Sequence, residues 1–156
     1  MEYKSNGYKT DLIFFVVMFL VAFSFDAMNV MVYSFQDLFA SKALIITSLY
    51  MAATMGWAHQ IIHYFSKGHM ALLKFGSWFL LSMALLYVMR TQMFISPRDW
   101  LKEMIPHHST AITTTTQLLK NNNLPQDSPI YNLAQSILST QQKEIALMQV
   151  LLAMPK

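Results

Sequence analysis

The chain has 156 residues and a net charge of +3, with 54% hydrophobic and only 12% charged residues. A soluble domain carries roughly 25% charged residues, so this composition excludes an ordinary water-soluble globule, and the mild, dispersed positive charge excludes a nucleic-acid-binding surface. The absence of Cys rules out disulfides and thiolate metal sites.

Three apolar runs come first. Residues 11–33 form the first, continuing through Asp26 and Asn29 to reach spanning length. Residues 43–65 form the second and contain the longest uncharged stretch of the chain. Residues 71–95 form the third, in which Lys74 and Arg90 can snorkel to headgroups. At 1.5 Å per residue, each run crosses about 30 Å of hydrocarbon as a helix. All five Pro lie at Pro97 or later, so none interrupts these helices. The sequence therefore predicts a membrane domain over residues 1–95 with the lipid bilayer as its first partner. Lys4, Lys9, Lys67 and Lys74 bias the N-terminus and second loop toward the cytoplasm, which leaves the C-terminal segment extracytoplasmic. Arg90, Arg98 and Lys102 oppose that assignment. In a prokaryote the membrane would be the bacterial inner membrane.

The second span carries Met51, Met55, His59 and His63, each four residues apart on one stripe. His within a bilayer faces protein or water. One reading is a soft-metal or proton path. The other is imidazoles bonded across helices to Ser, Thr or Asp26, with Met as packing filler.

Composition changes at Ser96. Ser96-Pro97-Arg98-Asp99 reads as a helix start, and Ser128-Pro129 repeats the device. Two helices are expected, to about Leu119 and Leu152, with a kink at Pro106 and a break at Asn121–Pro125. Leu101, Ile105, His108, Ile112, Thr115 and Leu119 share a face of the first. Ile130, Leu133, Ile137, Gln141, Glu144, Met148 and Leu151 share a face of the second. Residues 96–156 thus read as an antiparallel hairpin. A two-helix core is small, so a homo-oligomer, dimer or higher, or docking onto the spans is expected.

Met104, His107 and His108 on the first helix oppose Glu144 and Met148 on the second. Imidazole with thioether suits Cu(I), and imidazole with carboxylate also accepts Cu(II) or Zn. The alternative is a buried polar network in which His108 bonds Glu144 or Gln141. No hydrolase triad, phosphate loop or Glu-x-x-His di-iron pattern is present, so no enzyme is expected.

The run Met104-Ile-Pro-His107-His108-Ser-Thr-Ala111-Ile112, followed by Gln141-x-x-Glu144-Ile145-x-x-Met148, resembles the family called domain of unknown function 305 over about residues 99–152. The three preceding spans resemble its membrane-anchored members. The resemblance implies an all-α chain whose hairpin is half of a ferritin-like four-helix bundle. It also implies copper as a cofactor or cargo, held by Met104, His107, His108, Glu144 and Met148. Thr114 stands where members often carry Met. Three functions follow as expectations: a membrane-anchored copper-handling protein, a non-catalytic interaction or assembly module, and a small oligomeric transporter using the Met51–His63 stripe.

Overall fold

A computed structural model describes residues 6–155; Lys4, part of the charge bias, lies outside them. The described residues form helices α1 (Asn6–Ser24), α2 (Ala27–Val30), α3 (Lys42–Lys67), α4 (Leu72–Thr91), α5 (Pro97–Asn121) and α6 (Pro129–Ala153). A short 3₁₀ turn covers Phe35–Asp37, and no strand occurs among the described residues. The described residues divide into two compact units, 6–26 with 42–94, and 27–41 with 95–155. One division falls between Phe94 and Ile95, and the segment 27–41 packs with the hairpin.

Two stretches, Lys9–Val30 and Leu72–Thr91, are long and apolar enough to cross a membrane, and the first runs four residues into the second unit. The first run was expected to continue as a span to residue 33. Instead α1 stops at Ser24 and a new short turn begins at Ala27, just after Asp26, a residue type favoured where helices start. The third run ends at Thr91 rather than residue 95. Gln92 adopts φ 52°, and its N–H bonds Met89 O while the Met93 N–H bonds Val88 O. This left-handed cap satisfies the last carbonyls and turns the chain out of the helix.

Helix α3 has 26 residues but is more polar. Its Thr47, Ser48 and Thr54 hydroxyls donate back to carbonyls four residues earlier, which satisfies them without water. Its buried positions include Ala43, Ser48, Ala52, Ala53 and Gly56, small residues that let helices approach closely. At Gly56 an added Cβ would lie 2.7 Å from the Trp78 ring, which itself stacks on Phe15 with centroids 5.2 Å apart. One indole thus ties α1, α3 and α4 together. Lys74, expected to snorkel, forms an ion pair with Asp11.

The second unit is the hairpin plus the segment 27–41. Ser96 Oγ accepts the Asp99 N–H and Asp99 accepts the Ser96 N–H, a complete capping box on α5. Ser128 Oγ caps α6 by accepting the Tyr131 N–H. Arg98 donates to Leu152 O and Met154 O at the end of α6, where carbonyls lack helical partners. Helix α5 runs on past Pro106, so the ring removes one hydrogen bond without ending the helix. Ile105, Ile112, Ile145 and Met148 form the core, with Phe39, Leu101, Met104, Leu138 and Leu152 against it. The expected face of α5 is the buried one. The expected face of α6 is rotated: Ala134, Ile145 and Met148 are buried, whereas Ile130, Leu133 and Leu151 are exposed. The reason is that α6 is apolar on two faces, and periodicity does not say which one the partner helix takes.

Candidate functional site

The hairpin brings two of the five predicted site residues into direct contact. His108 Nδ1 lies 3.0 Å from Glu144 Oε2. Nδ1 is buried, and the approach is off the line of an N–H···O bond, so the contact is chiefly electrostatic. Glu144 remains about half exposed, with 46% of its side chain accessible. His107 points away and is exposed, its ring centroid 5.8 Å from that of His108, because adjacent helical residues diverge by about 100°. Met104 packs against the core cluster that contains Met148. Glu103 lies one turn before His107; burial pushes its carboxyl up, and His107 opposes that shift. Among the described residues, no group of three or more His, Asp or Glu is placed to hold a metal ion. Thr114 Oγ1 donates to Thr110 O and Ala111 O, so its hydroxyl is used by the helix.

A second polar cluster lies where the segment 27–41 meets the hairpin. Asp37, only 5% exposed, accepts from Ser109 Oγ at 2.6 Å and from Gln149 Nε2 at 3.0 Å. Ser109 Oγ also accepts the Tyr33 N–H at 2.8 Å. One residue on, Thr110 Oγ1 donates to Met28 O at 2.8 Å. One carboxylate therefore joins the segment to both helices. Sequence reading missed this cluster. Ser109 and Gln149 lie 72 and 112 residues from Asp37, and no spacing rule links them. The one available signal was a small Ser at position 109 beside an apolar face.

The residues of the stripe on α3 meet different neighbours along its length. Met51 and Met55 are exposed. His59 lies against the Phe14 ring at 5.1 Å. His63 Nδ1 meets His69 O at 3.1 Å, a backbone carbonyl rather than the expected Ser, Thr or Asp26 side chain.

The chain is 31% identical over 137 residues to "Uncharacterized protein L153" of Acanthamoeba polyphaga mimivirus, covering 86% of each chain. The model of the family described as Domain of unknown function (DUF305) matches residues 83–152. The chain belongs to the DUF305 family. The DUF305 match starts at Met83, inside α4, earlier than the Asp99 start expected from the His-His and Gln-Glu-Met motifs. The similarity to the viral protein extends well beyond the DUF305 segment and into the first unit. No solved structure matches.

Proposed function

We propose that this protein is a non-enzymatic, three-span membrane module that carries an extracytoplasmic hairpin and self-associates through it. The three spans follow from a parity argument. Residues 27–41 pack on residues 95–155 in one unit, so both lie on the same side of a bilayer. Between them the chain must cross an even number of times. Helix α4 is apolar enough to cross, so α3 must cross as well. Its Thr47, Ser48 and Thr54 hydroxyls are compatible with that, being bonded to the helix's own carbonyls. The lysine bias then orients the hairpin outward.

The observation that carries the assembly reading is the unpartnered stripe of α6. Ile130, Leu133, Leu147, Leu151 and Met154 are all exposed, Leu133 at 61%. Ile130 and Met154, Leu133 and Leu151, and Ile137 and Leu147 are each equidistant from Gln142. They occupy a face about 120° wide at 100° per residue. A stripe with this mirror spacing matches a second copy of itself when the two helices run antiparallel about a two-fold axis. At its centre Glu144 faces Thr140 of the partner, a polar pair that fixes register, while Glu144 also holds His108 within its own hairpin. Two hairpins joined this way make a four-helix arrangement and cover the thin core. Mass measurement of the detergent-solubilised protein tests it: a dimer is expected, and a strict monomer would refute it.

A second reading is favoured by the arrangement of Met104 and His108 on α5 against Glu144 and Met148 on α6. Two thioethers, an imidazole and a carboxylate form a donor set suited to copper. Cu(I) titration of wild type against His107→Ala/His108→Ala tests it. Unchanged affinity in the variant would remove this reading and leave the assembly reading standing.

A further inference from the structure

We infer that His63 and His69 form a metal-binding imidazole pair at the turn between α3 and α4, one that takes a borderline divalent cation such as Zn²⁺. The pair is made by the backbone. Helix α3 ends at Lys67. Gly68 follows at φ 73°, with its N–H bonded to Tyr64 O at 2.8 Å. This is the left-handed position that closes helices and that a residue with a Cβ adopts under strain. The turn brings His69 back over the last turns of α3, where its ring centroid lies 4.8 Å from that of His63.

The hydrogen bonds decide which nitrogens are available. His63 Nδ1 is 3.1 Å from His69 O, and His69 Nδ1 is 3.2 Å from Lys67 O. A carbonyl oxygen only accepts, so each Nδ1 carries the proton and donates. In the neutral imidazole each Nε2 then holds its lone pair. Metal-binding histidines are commonly set this way, one ring nitrogen donating to a carbonyl while the other ligates. Here the arrangement occurs twice on neighbouring rings.

The spacing also bears on the metal. A ring centroid sits about 3.2 Å from a metal bound at Nε2, given a metal–nitrogen bond of about 2.0–2.1 Å. Two centroids 4.8 Å apart then subtend an angle of about 100° at the metal, close to the tetrahedral preference of Zn²⁺. A linear two-imidazole Cu(I) site would need a separation of about 6.4 Å by the same arithmetic. Two ligands come from this chain; water or a second copy supplies the others. The sequence concealed the pair, because His63 belonged to an intramembrane stripe and His69 lay in a loop.

Calorimetric titration of Zn²⁺ into the full-length protein tests this pair. The parent protein carries His107→Ala/His108→Ala, so the hairpin histidines contribute nothing. The expected result is one site per chain of micromolar affinity, weakened at least tenfold by His63→Ala and by His69→Ala and unchanged by His59→Ala. Gly68→Val, which keeps both imidazoles but strains the turn, should also weaken binding. Binding that is absent, or equal in the parent and both single-His variants, would overturn the proposal. It would leave the hairpin readings untouched.

Discussion

Replacing Asp37 by Ala is expected to destabilise the hairpin unit by about 2–4 kcal/mol, among the largest effects of any single polar substitution in the chain. The substitution removes the acceptor shared by Ser109 Oγ and Gln149 Nε2. Ser109 is fully buried, so no water replaces what its hydroxyl loses, and a buried donor without a partner costs the full desolvation of that group. Part of the loss is offset, because a carboxylate no longer has to be buried. Asp37→Asn keeps one acceptor oxygen, and roughly half the loss is expected. The consequences reach beyond stability. Residues 27–41 are held to α5 and α6 by Asp37, by the Tyr33 N–H on Ser109 and by Thr110 on Met28 O. Without Asp37 this segment should become sensitive to protease while α5 and α6 stay helical. Thermal melting by circular dichroism and limited proteolysis measure the two effects. A melting curve that matches wild type would show that the carboxylate does not hold the segment.

The second large effect concerns the α6 stripe. In an antiparallel pair Leu133 meets Leu151 of the other copy at both ends of the contact. Leu133→Lys/Leu151→Lys therefore sets lysine against lysine twice and removes apolar burial worth about 1.5–3 kcal/mol for each Leu side chain. The dimer should dissociate at least a hundredfold more readily, which corresponds to about 2.8 kcal/mol. Leu133→Lys/Leu151→Glu should restore it, because each lysine now meets a glutamate of the other copy. The two positions are 18 residues apart on one helix, about 27 Å at 1.5 Å per residue, so they cannot pair within a chain. In a parallel pair the same variant would place like charges together and stay dissociated. Analytical ultracentrifugation of the two double variants separates these outcomes, and failure of the Lys/Glu variant to recover the dimer would reject the antiparallel register.

The hairpin was largely legible from sequence because its signals are local. The Ser96 capping box, the Ser128 cap and the α5 stripe of Ile105, Ile112 and Thr115 each lie within a few turns of chain, and each appears as read. The contact of His108 with Glu144 followed from placing two stripes face to face. What was not legible depends on distant partners. Ala27, Met28, Val30, Met31 and Val32 have the composition of a membrane span, and the contacts of Met28, Tyr33, Asp37 and Phe39 with the hairpin reveal that this stretch leaves α1. On α6 the exposed Leu133 and Leu151 and the buried Ala134 and Met148 are equally periodic. Which face turns inward depends on α5, on Phe39 and on small Ala134, where the helices can come close. The Lys74–Asp11 pair and the His63–His69 pair are likewise products of tertiary geometry that no spacing within one helix encodes.

The central claim is that residues 27–41 and the hairpin share one face of the membrane, with α3 and α4 both crossing between them. The chain has no Cys, so single cysteines report position without background. Gln36→Cys, Ser66→Cys and Asn122→Cys lie at exposed positions in the segment, near the end of α3 and after α5. In sealed, oriented membranes a membrane-impermeant maleimide should label positions 36 and 122 from the same side and position 66 only from the other. Labelling of 36 and 122 from opposite sides, or of all three from one side, would contradict the three-span account.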